Sequence, residues 1–207
     1  MCNLYFVFKK GHSTEMEKAL KKYIDSDSVV GKEELRQLLQ HTSSVDRYSL
    51  LMNVRGDKYS YTGPHIAARC NDLETMKYML EGFTVDEKYD VLKIQAGAGN
   101  TALHYAAWQG HSSIITYLLT DLSQQQKYNL LQLQNDDGDT ALHYAASQQK
   151  SEAVQVILTF LSPQQQIQLL NIKNNKGQTV ADIRPEVYKE PPLMISQGNV
   201  ILHIYYV

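Results

Sequence analysis

The clearest feature of the chain is a pattern of apolar and polar positions that returns every 39 residues (140 − 101 = 39). The stretch Thr101–Ala107, TALHYAA, recurs unchanged at residues 140–146, and a weaker copy lies at residues 62–68. Copies at one fixed spacing indicate stacked structural units, because internal repeats of this kind are the signature of solenoids and related arrays. The pattern therefore predicts one repeat array.

Within a unit, the apolar positions predict three short helices. Leu103, Ala106 and Ala107 follow the i, i+3, i+4 spacing of one helical face, and residues 114–122 form a second apolar stripe. A third helix is predicted to begin at capping boxes, in which Ser or Thr precedes Glu or Gln by three residues. These boxes are Thr84 with Glu87, Ser123 with Gln126, and Ser162 with Gln165. Because one unit cannot bury its own apolar face, neighbouring units must stack.

Weaker copies of the unit flank the clear ones. Residues 38–51 align with residues 118–131, and Pro185 cuts short a further unit that begins at Thr179, because proline prevents a helix from continuing normally. We therefore divide the chain into an N-terminal degenerate or capping repeat (1–61), an array (62–100, 101–139, 140–178 and a partial unit 179–184) and a C-terminal extension (185–207). The apolar ends, near residues 1–8 and 199–207, are left open as caps, paired strands or stumps of a longer protein.

These residues carry a family resemblance. The pattern Gly-X-Thr-Ala-Leu-His-X-Ala-Ala at residues 138–146, with Gly110-His111 between the first two helices of the preceding unit, resembles the ankyrin repeat. The family unit is usually about 33 residues long, and we interpret the additional residues as an enlarged connection that holds the third helix. Two departures are Gly63-Pro64 at the Ala-Leu positions and Gln149-Lys150 in place of Gly-His. The resemblance implies an all-α, ankyrin-repeat-like α-solenoid with short projecting turns.

Composition and charge narrow the classes of function. Lys and Arg number 20 against 22 Asp and Glu, a formal charge of −2, so electrostatics gives no reason to expect nucleic acid as a partner. Two cysteines are too few for a disulfide scaffold, and no N-glycosylation sequon occurs. The apolar runs fall far below the ~18 residues of a membrane span. We therefore expect a cytoplasmic protein that uses neither nucleic acid nor a membrane as its partner.

Comparison of the repeat units argues against two candidate sites, a metal site and a dinucleotide-binding site. Three recurring histidines, His65, His104 and His143, suggest a metal site, but equivalent residues of stacked helices lie ~8–10 Å apart and zinc ligands lie about 2.1 Å from one ion. The family resemblance implies instead that each Thr-His pair is hydrogen-bonded locally. Residues 97–102 imitate a dinucleotide fingerprint, yet only Gly99 of its glycines recurs. With no catalytic motif present, we predict no metal, no cofactor and no catalytic residue, and therefore not an enzyme.

The resemblance implies a protein-binding module whose partner lies along a concave face, built from the turns and the exposed side of the first helices. The repeat spacing places the partner-binding residues at Tyr59, Arg69, Asn100, Trp108, Gln109, Asp136, Asp137, Asp139, Ser147, Gln148 and Lys176. Trp108 is the only tryptophan, and tryptophan is enriched among interface anchors. The alternative, that its ring packs flat on Tyr105 or a neighbouring turn, is equally open.

The acidic turn at residues 136–139 predicts the chemistry of the partner. Its three aspartates favour a protein with a basic segment beside an apolar or aromatic side chain. Two other functions stay open: a regulatory or targeting part of a longer enzyme, or a eukaryote-like effector that a bacterium exports into the host cytoplasm. The sequence specifies neither the identity of the partner nor the oligomeric state.

Overall fold

The computed structural model describes residues 12–26, 31–56, 59–185, 195–196 and 199–200. These residues form thirteen α-helices and one antiparallel pair of two-residue strands, β1 (Ile195–Ser196) and β2 (Asn199–Val200). The all-α repeat array is confirmed, and the strand pair lies in the predicted C-terminal extension. The helices are α1 (His12–Asp25), α2 (Lys32–Gln40), α3 (Ser44–Asn53), α4 (Gly63–Arg69), α5 (Leu73–Leu80), α6 (Val85–Leu92), α7 (Ala102–Gln109), α8 (Ser112–Leu119), α9 (Gln124–Leu131), α10 (Ala141–Ser147), α11 (Ser151–Thr159), α12 (Pro163–Leu170) and α13 (Val180–Ile183).

The helices repeat in threes and stack in three layers. The first helices, α1, α4, α7, α10 and α13, are in contact one after another along the array. Among the second helices, α2 packs on α5 and α8 packs on α11. Among the third helices, α3 packs on α6, and side-chain hydrogen bonds join α6 to α9 and α9 to α12. The predicted unit of three helices is therefore what the structure contains.

The recurring apolar positions are the buried ones. Leu103, Ala106 and Ala107 in α7 expose 1% of their surface or less, and Ala145 in α10 exposes none. The apolar stripe of the second helix is equally buried. In α8, the four aliphatic residues Ile114, Ile115, Leu118 and Leu119 are completely buried. Since α7 and α10 share the largest helix contact in the array, the small side chains on their facing sides set how closely successive units approach.

Each repeat histidine caps its own helix and bridges to the turn that leads into the next first helix. The amide nitrogen of Thr101 donates to His104 Nδ1 at 3.2 Å, and the Thr101 hydroxyl lies 2.8 Å from the same nitrogen. His104 Nε2 lies 3.1 Å from the carbonyl oxygen of Asp139 in the following turn. Because Nδ1 accepts a hydrogen bond, the ring proton must sit on Nε2, which donates to that carbonyl. His65 and His143 repeat the arrangement.

The predicted local Thr-His hydrogen bonds are therefore confirmed, but the second bond, to the turn before the next first helix, was not part of the prediction. At the equivalent position of the partial last unit stands Asp182, whose carboxylate accepts from the amide and hydroxyl of Thr179. An ionised carboxylate has no proton to donate onward. Asp182 can therefore cap the start of its own helix, as the histidines do, but it cannot donate the second hydrogen bond that each histidine makes to the following turn.

Burial keeps these rings neutral. Desolvation lowers the pKa of His65 and of His104 to about 4, and it also lowers the pKa of His143. The backbone carbonyls that accept from Nε2 act in the opposite direction but do not outweigh the loss of water. A protonated ring would also lose the bonds that the Thr residue donates to Nδ1.

In α3, α6 and α12, the fourth residue of the helix ties the third layer to the second. Arg47 donates to carbonyls at the ends of α2 and α5, and Lys88 Nζ donates to those of Tyr117 and Thr120 at 2.9 and 2.8 Å. Gln166 does the same for the end of α11. Carbonyls at helix C-termini lack partners within the helix and favour cations. These side chains therefore satisfy backbone groups in a neighbouring layer.

Acid should weaken the array through the buried rings. The unfolded chain takes up protons at an ordinary histidine pKa of 6.5, whereas folded His65 and His104 resist protonation down to about 4. Between pH 6.5 and pH 4 the unfolded state therefore binds more protons than the folded state. The protein keeps its full stability above pH 6.5 and loses stability as the pH falls from 6.5 to 4. Urea titrations at successive pH values should show a loss of up to about 3 kcal/mol per ring.

The control for that experiment is His104→Gln. Glutamine cannot take up a proton, so the variant should be less stable at neutral pH but should depend less steeply on pH between 6.5 and 4. Equal slopes for the variant and the native protein would contradict the assignment of acid sensitivity to this ring.

Close packing between first helices should make Ala145 intolerant of larger side chains. Ala145 is completely buried where α10 meets α7, so Ala145→Leu should cost roughly 1–3 kcal/mol by overpacking. The matched control is Ser147→Leu on the same helix, since Ser147 is exposed and should change stability by less than about 0.5 kcal/mol. An unchanged melting midpoint for Ala145→Leu would show that the inner face is misplaced.

Candidate functional site

The predicted partner-binding residues lie in two kinds of place. One group occupies the C-terminal ends of the first helices: Arg69, Trp108, Gln109, Ser147 and Gln148. The other group lies in the turns that precede first helices: Tyr59, Asn100, Asp136, Asp137, Asp139 and Lys176. Most are exposed, Arg69 and Asp139 are half-buried, and Asn100 is buried. We call the exposed and half-buried members together the inner surface.

Hydrogen bonds between successive turns hold the inner surface in place. The amide nitrogen of Asp136 donates to the carbonyl of Ala98 at 3.1 Å, and that of Asn175 donates to the carbonyl of Asp137 at 2.9 Å. The side chain of Asn175 donates to the Asp136 carbonyl at 2.8 Å. Gly138 has a φ of 77°, and a Cβ there would lie 2.6 Å from Asn175. Glycine therefore serves both the left-handed turn and the close approach of the next turn.

The expectation that Asn100 offers its side chain to a partner is wrong. Asn100 is only 6% exposed, and its Oδ1 accepts a hydrogen bond from Asn135 Nδ2 at 3.0 Å. One unit later, Asp139 Oδ1 accepts from Asn174 Nδ2 at 2.8 Å. The residues before Thr101 and Thr140 thus join consecutive turns. Asn100 belongs to that framework, and Asp139 has one of its two oxygens committed to it.

An aromatic row lies along the inner surface. Its members are Tyr59, Tyr61, Tyr105, Tyr144 and Trp108. Tyr59 and Tyr61 have ring centroids 5.3 Å apart, and Tyr61 meets Tyr105 edge to face at 5.4 Å. Tyr105 and Tyr144 were not among the predicted site residues, although both stand in the repeated TALHYAA motif. The signal available in the sequence is that this tyrosine recurs at a position where the family pattern accepts any residue.

Trp108 is both exposed and packed. Its ring is 43% exposed and meets Tyr144 edge to face, with centroids 4.9 Å apart and an interplanar angle of 85°. The aromatic contact of the ring is thus with Tyr144 of the following unit, whereas the packing alternative placed it flat on Tyr105 or a neighbouring turn. Edge-to-face contacts of this kind contribute about 0.5–1.5 kcal/mol beyond area burial, so the tryptophan is held in one orientation while much of it faces water.

Charges of both signs border the aromatic row. The Arg69 guanidinium lies 5.5 Å from the ring centroid of Tyr61. Burial raises the pKa of the Tyr144 phenol, and the negative charges of Asp139 and Asp137 raise it further. Both aspartates therefore act electrostatically on the ring against which Trp108 packs. This end of the row is acidic, whereas the Arg69 end is basic.

The ring nitrogens of the repeat histidines are already committed to the framework. Both nitrogens of each repeat histidine are occupied by hydrogen bonds. Within the described ranges, no three His, Cys, Asp or Glu side chains are grouped so that they could hold a metal ion. Nor, in the same part of the chain, is any helix long and apolar enough to cross a membrane. What the inner surface can do is bind a side chain or an extended segment.

Sequence comparison decides the family. A profile described as ankyrin repeats (3 copies) matches residues 30–130 and 65–168, which together cover more than half of the chain. The chain belongs to the ankyrin-repeat family. A search of curated proteins finds no significant match. Ankyrin repeats are generally protein–protein interaction modules and are generally non-catalytic.

The surroundings of the ankyrin-repeat tryptophan can be measured directly, because Trp108 is the only one in the chain. The quenching of its fluorescence by caesium and by iodide is each expressed relative to the quenching of free tryptophan amide. On this scale caesium should quench Trp108 more strongly than iodide, because nearby carboxylates attract cations and repel anions. Asp136→Asn with Asp137→Asn should remove most of that difference and leave quenching by neutral acrylamide unchanged. Equal quenching by the two ions in the native protein would show that these carboxylates do not act at Trp108.

Proposed function

We propose that this ankyrin-repeat chain is a non-catalytic interaction module that binds a partner protein along the inner surface. The observation that carries the proposal is Trp108, a large side chain that the repeat framework does not need and that is 43% exposed. Its contact with Tyr144 holds the ring in place before any partner arrives. A preorganised ring loses little conformational freedom on binding, which favours affinity.

The charge on the inner surface supports a partner with a basic segment. Asp136 and Asp137 are exposed, and the turn that carries them lies at the end of the unit that carries Trp108. A Lys or Arg next to an apolar or aromatic side chain would reach both the carboxylates and the indole ring. Attraction between opposite charges mainly raises the association rate, and salt screens it.

We place this interaction in a reducing, aqueous compartment such as the cytoplasm. Cys70 is a free thiol, and the chain has only two cysteines in all. Free thiols persist where the thiol–disulfide balance is reducing.

The partner is found by affinity capture with the native chain and with Trp108→Ala, and association is then measured by surface plasmon resonance. Trp108→Ala should weaken binding at least about tenfold, because anchor residues contribute most of the binding energy. A partner captured equally by both proteins, with equal affinity, would place the interface elsewhere.

The double variant Asp136→Lys with Asp137→Lys tests the charge. It should slow association and flatten the dependence of the association rate on salt, while stability changes by no more than about 0.5 kcal/mol. The matched control is Glu17→Lys with Glu152→Lys, which reverses the charge at two exposed positions of α1 and α11 and changes the net charge by the same amount. If both pairs change the rate equally, net charge rather than the acidic turn controls association.

A further inference from the structure

The third helices differ in what they turn outward, although they are built alike. α6, α9 and α12 each begin with a complete capping box, and each buries the apolar pair at its C-terminal end. In α9 and α12, the second helical residue is Gln125 or Gln164, and both are exposed. The same position holds Val45 in α3 and Asp86 in α6. Neither the capping boxes nor the buried apolar pairs require a change of residue at this position. The change from Gln to Val or Asp therefore alters only the outer surface of the first two units.

Each of the neighbouring helices α3 and α6 carries an exposed valine in its first turn. Val45 is 70% exposed and Val85 is 42% exposed. Between their helices, the rings of Tyr48 and Phe83 meet edge to face at 5.8 Å, and a Cβ at Gly82 would lie 3.6 Å from Ser44. We call Val45, Tyr48, Phe83 and Val85 the outer patch. It belongs to the third layer of helices, whereas the inner surface belongs to the turns and the first layer.

Acidic side chains lie on the same two helices as the outer patch and next to them in the chain. They are Asp46 on α3, Glu81 before α6, and Asp86, Glu87 and Asp90 on α6. The two cations of these helices at the fourth position, Arg47 and Lys88, are buried and donate to backbone carbonyls. Lys93 is exposed and pairs with Asp90 at 2.7 Å. The border of the patch is therefore negative, which would repel an anionic lipid surface.

We propose that the outer patch binds a basic amphipathic helix of a second protein. Apolar patches rimmed by polar residues mark interaction sites, and an amphipathic helix presents apolar side chains at i, i+3, i+4 and i+7 with polar residues beside them. Valine and aromatic side chains would receive the apolar stripe, and the acidic border would pair with flanking Lys or Arg. This surface is separate from the inner surface, so the proposal stands or falls independently of the function proposed above.

The test uses a synthetic peptide of ~14 residues, about four helical turns, with Leu on one helical face and Lys elsewhere. A second peptide, in which Glu replaces every Lys, controls for apolar attraction alone. Binding of each fluorescently labelled peptide is followed by anisotropy with the full chain carrying Asp136→Lys and Asp137→Lys, which removes the charge that the inner surface would offer to a basic segment. The emission of Trp108 is recorded in parallel, and the patch and control variants are made in the same background. The patch variant is Val45→Lys with Val85→Lys, and the control variant is Gln125→Lys with Gln164→Lys, which adds the same charge to the same layer of helices.

The lysine peptide should bind, the glutamate peptide should not, and the emission of Trp108 should stay unchanged. The patch variant should weaken binding at least about tenfold, whereas the control variant should weaken it less than about twofold. The proposal is overturned if both variants weaken binding equally, if both peptides bind equally, or if Trp108 responds, which would place the peptide on the inner surface. It is also overturned if sedimentation shows a native dimer that the patch variant dissociates, because the occupant would then be a second copy of the chain.

Discussion

The buried imidazole ring that joins each first helix to the turn before the next first helix is the contact on which the array depends. One end of the ring, Nδ1, fixes the start of its own helix by accepting from the repeat Thr, and the other end, Nε2, donates to the next turn. A single neutral side chain therefore joins local helix capping to the stacking of units. Buried polar groups must be hydrogen-bonded to be tolerated, and in His104 both nitrogens meet that condition without any charge.

Fixed stacking in turn decides where the candidate site residues lie. Because each turn is bound to the one before it, the exposed carboxylates of Asp136 and Asp137 project from backbone that is already hydrogen-bonded on both sides. Trp108 gains its orientation from Tyr144 of the following unit. The inner surface is thus a property of neighbouring units together, and no single unit would hold its side chains in the same arrangement.

The repeated positions could be predicted from the sequence because they depend on contacts between residues that are close together in the chain. The TALHYAA motif fixes the first helices, and the Ser/Thr-x-x-Glu/Gln boxes fix the third helices, through contacts that each unit makes with itself. Contacts between units were harder to predict. Asn100 looks like an exposed polar residue until the next turn supplies Asn135. Lys88 looks like part of a solvated helix face until the end of α8 supplies two carbonyls. Nothing in the composition of one unit shows which polar side chain its neighbour will engage.

The most direct test of the bridging histidines is nitrogen NMR of the imidazole rings in the native chain. Long-range nitrogen–proton spectra report which ring nitrogen carries the proton. The structure predicts that His65, His104 and His143 hold the proton on Nε2 at neutral pH. At pH 5, which lies between the folded value of about 4 and the ordinary 6.5, His65 and His104 should remain neutral. Signals averaged between the two nitrogens, or rings of His65 and His104 that are protonated at pH 5, would contradict the account.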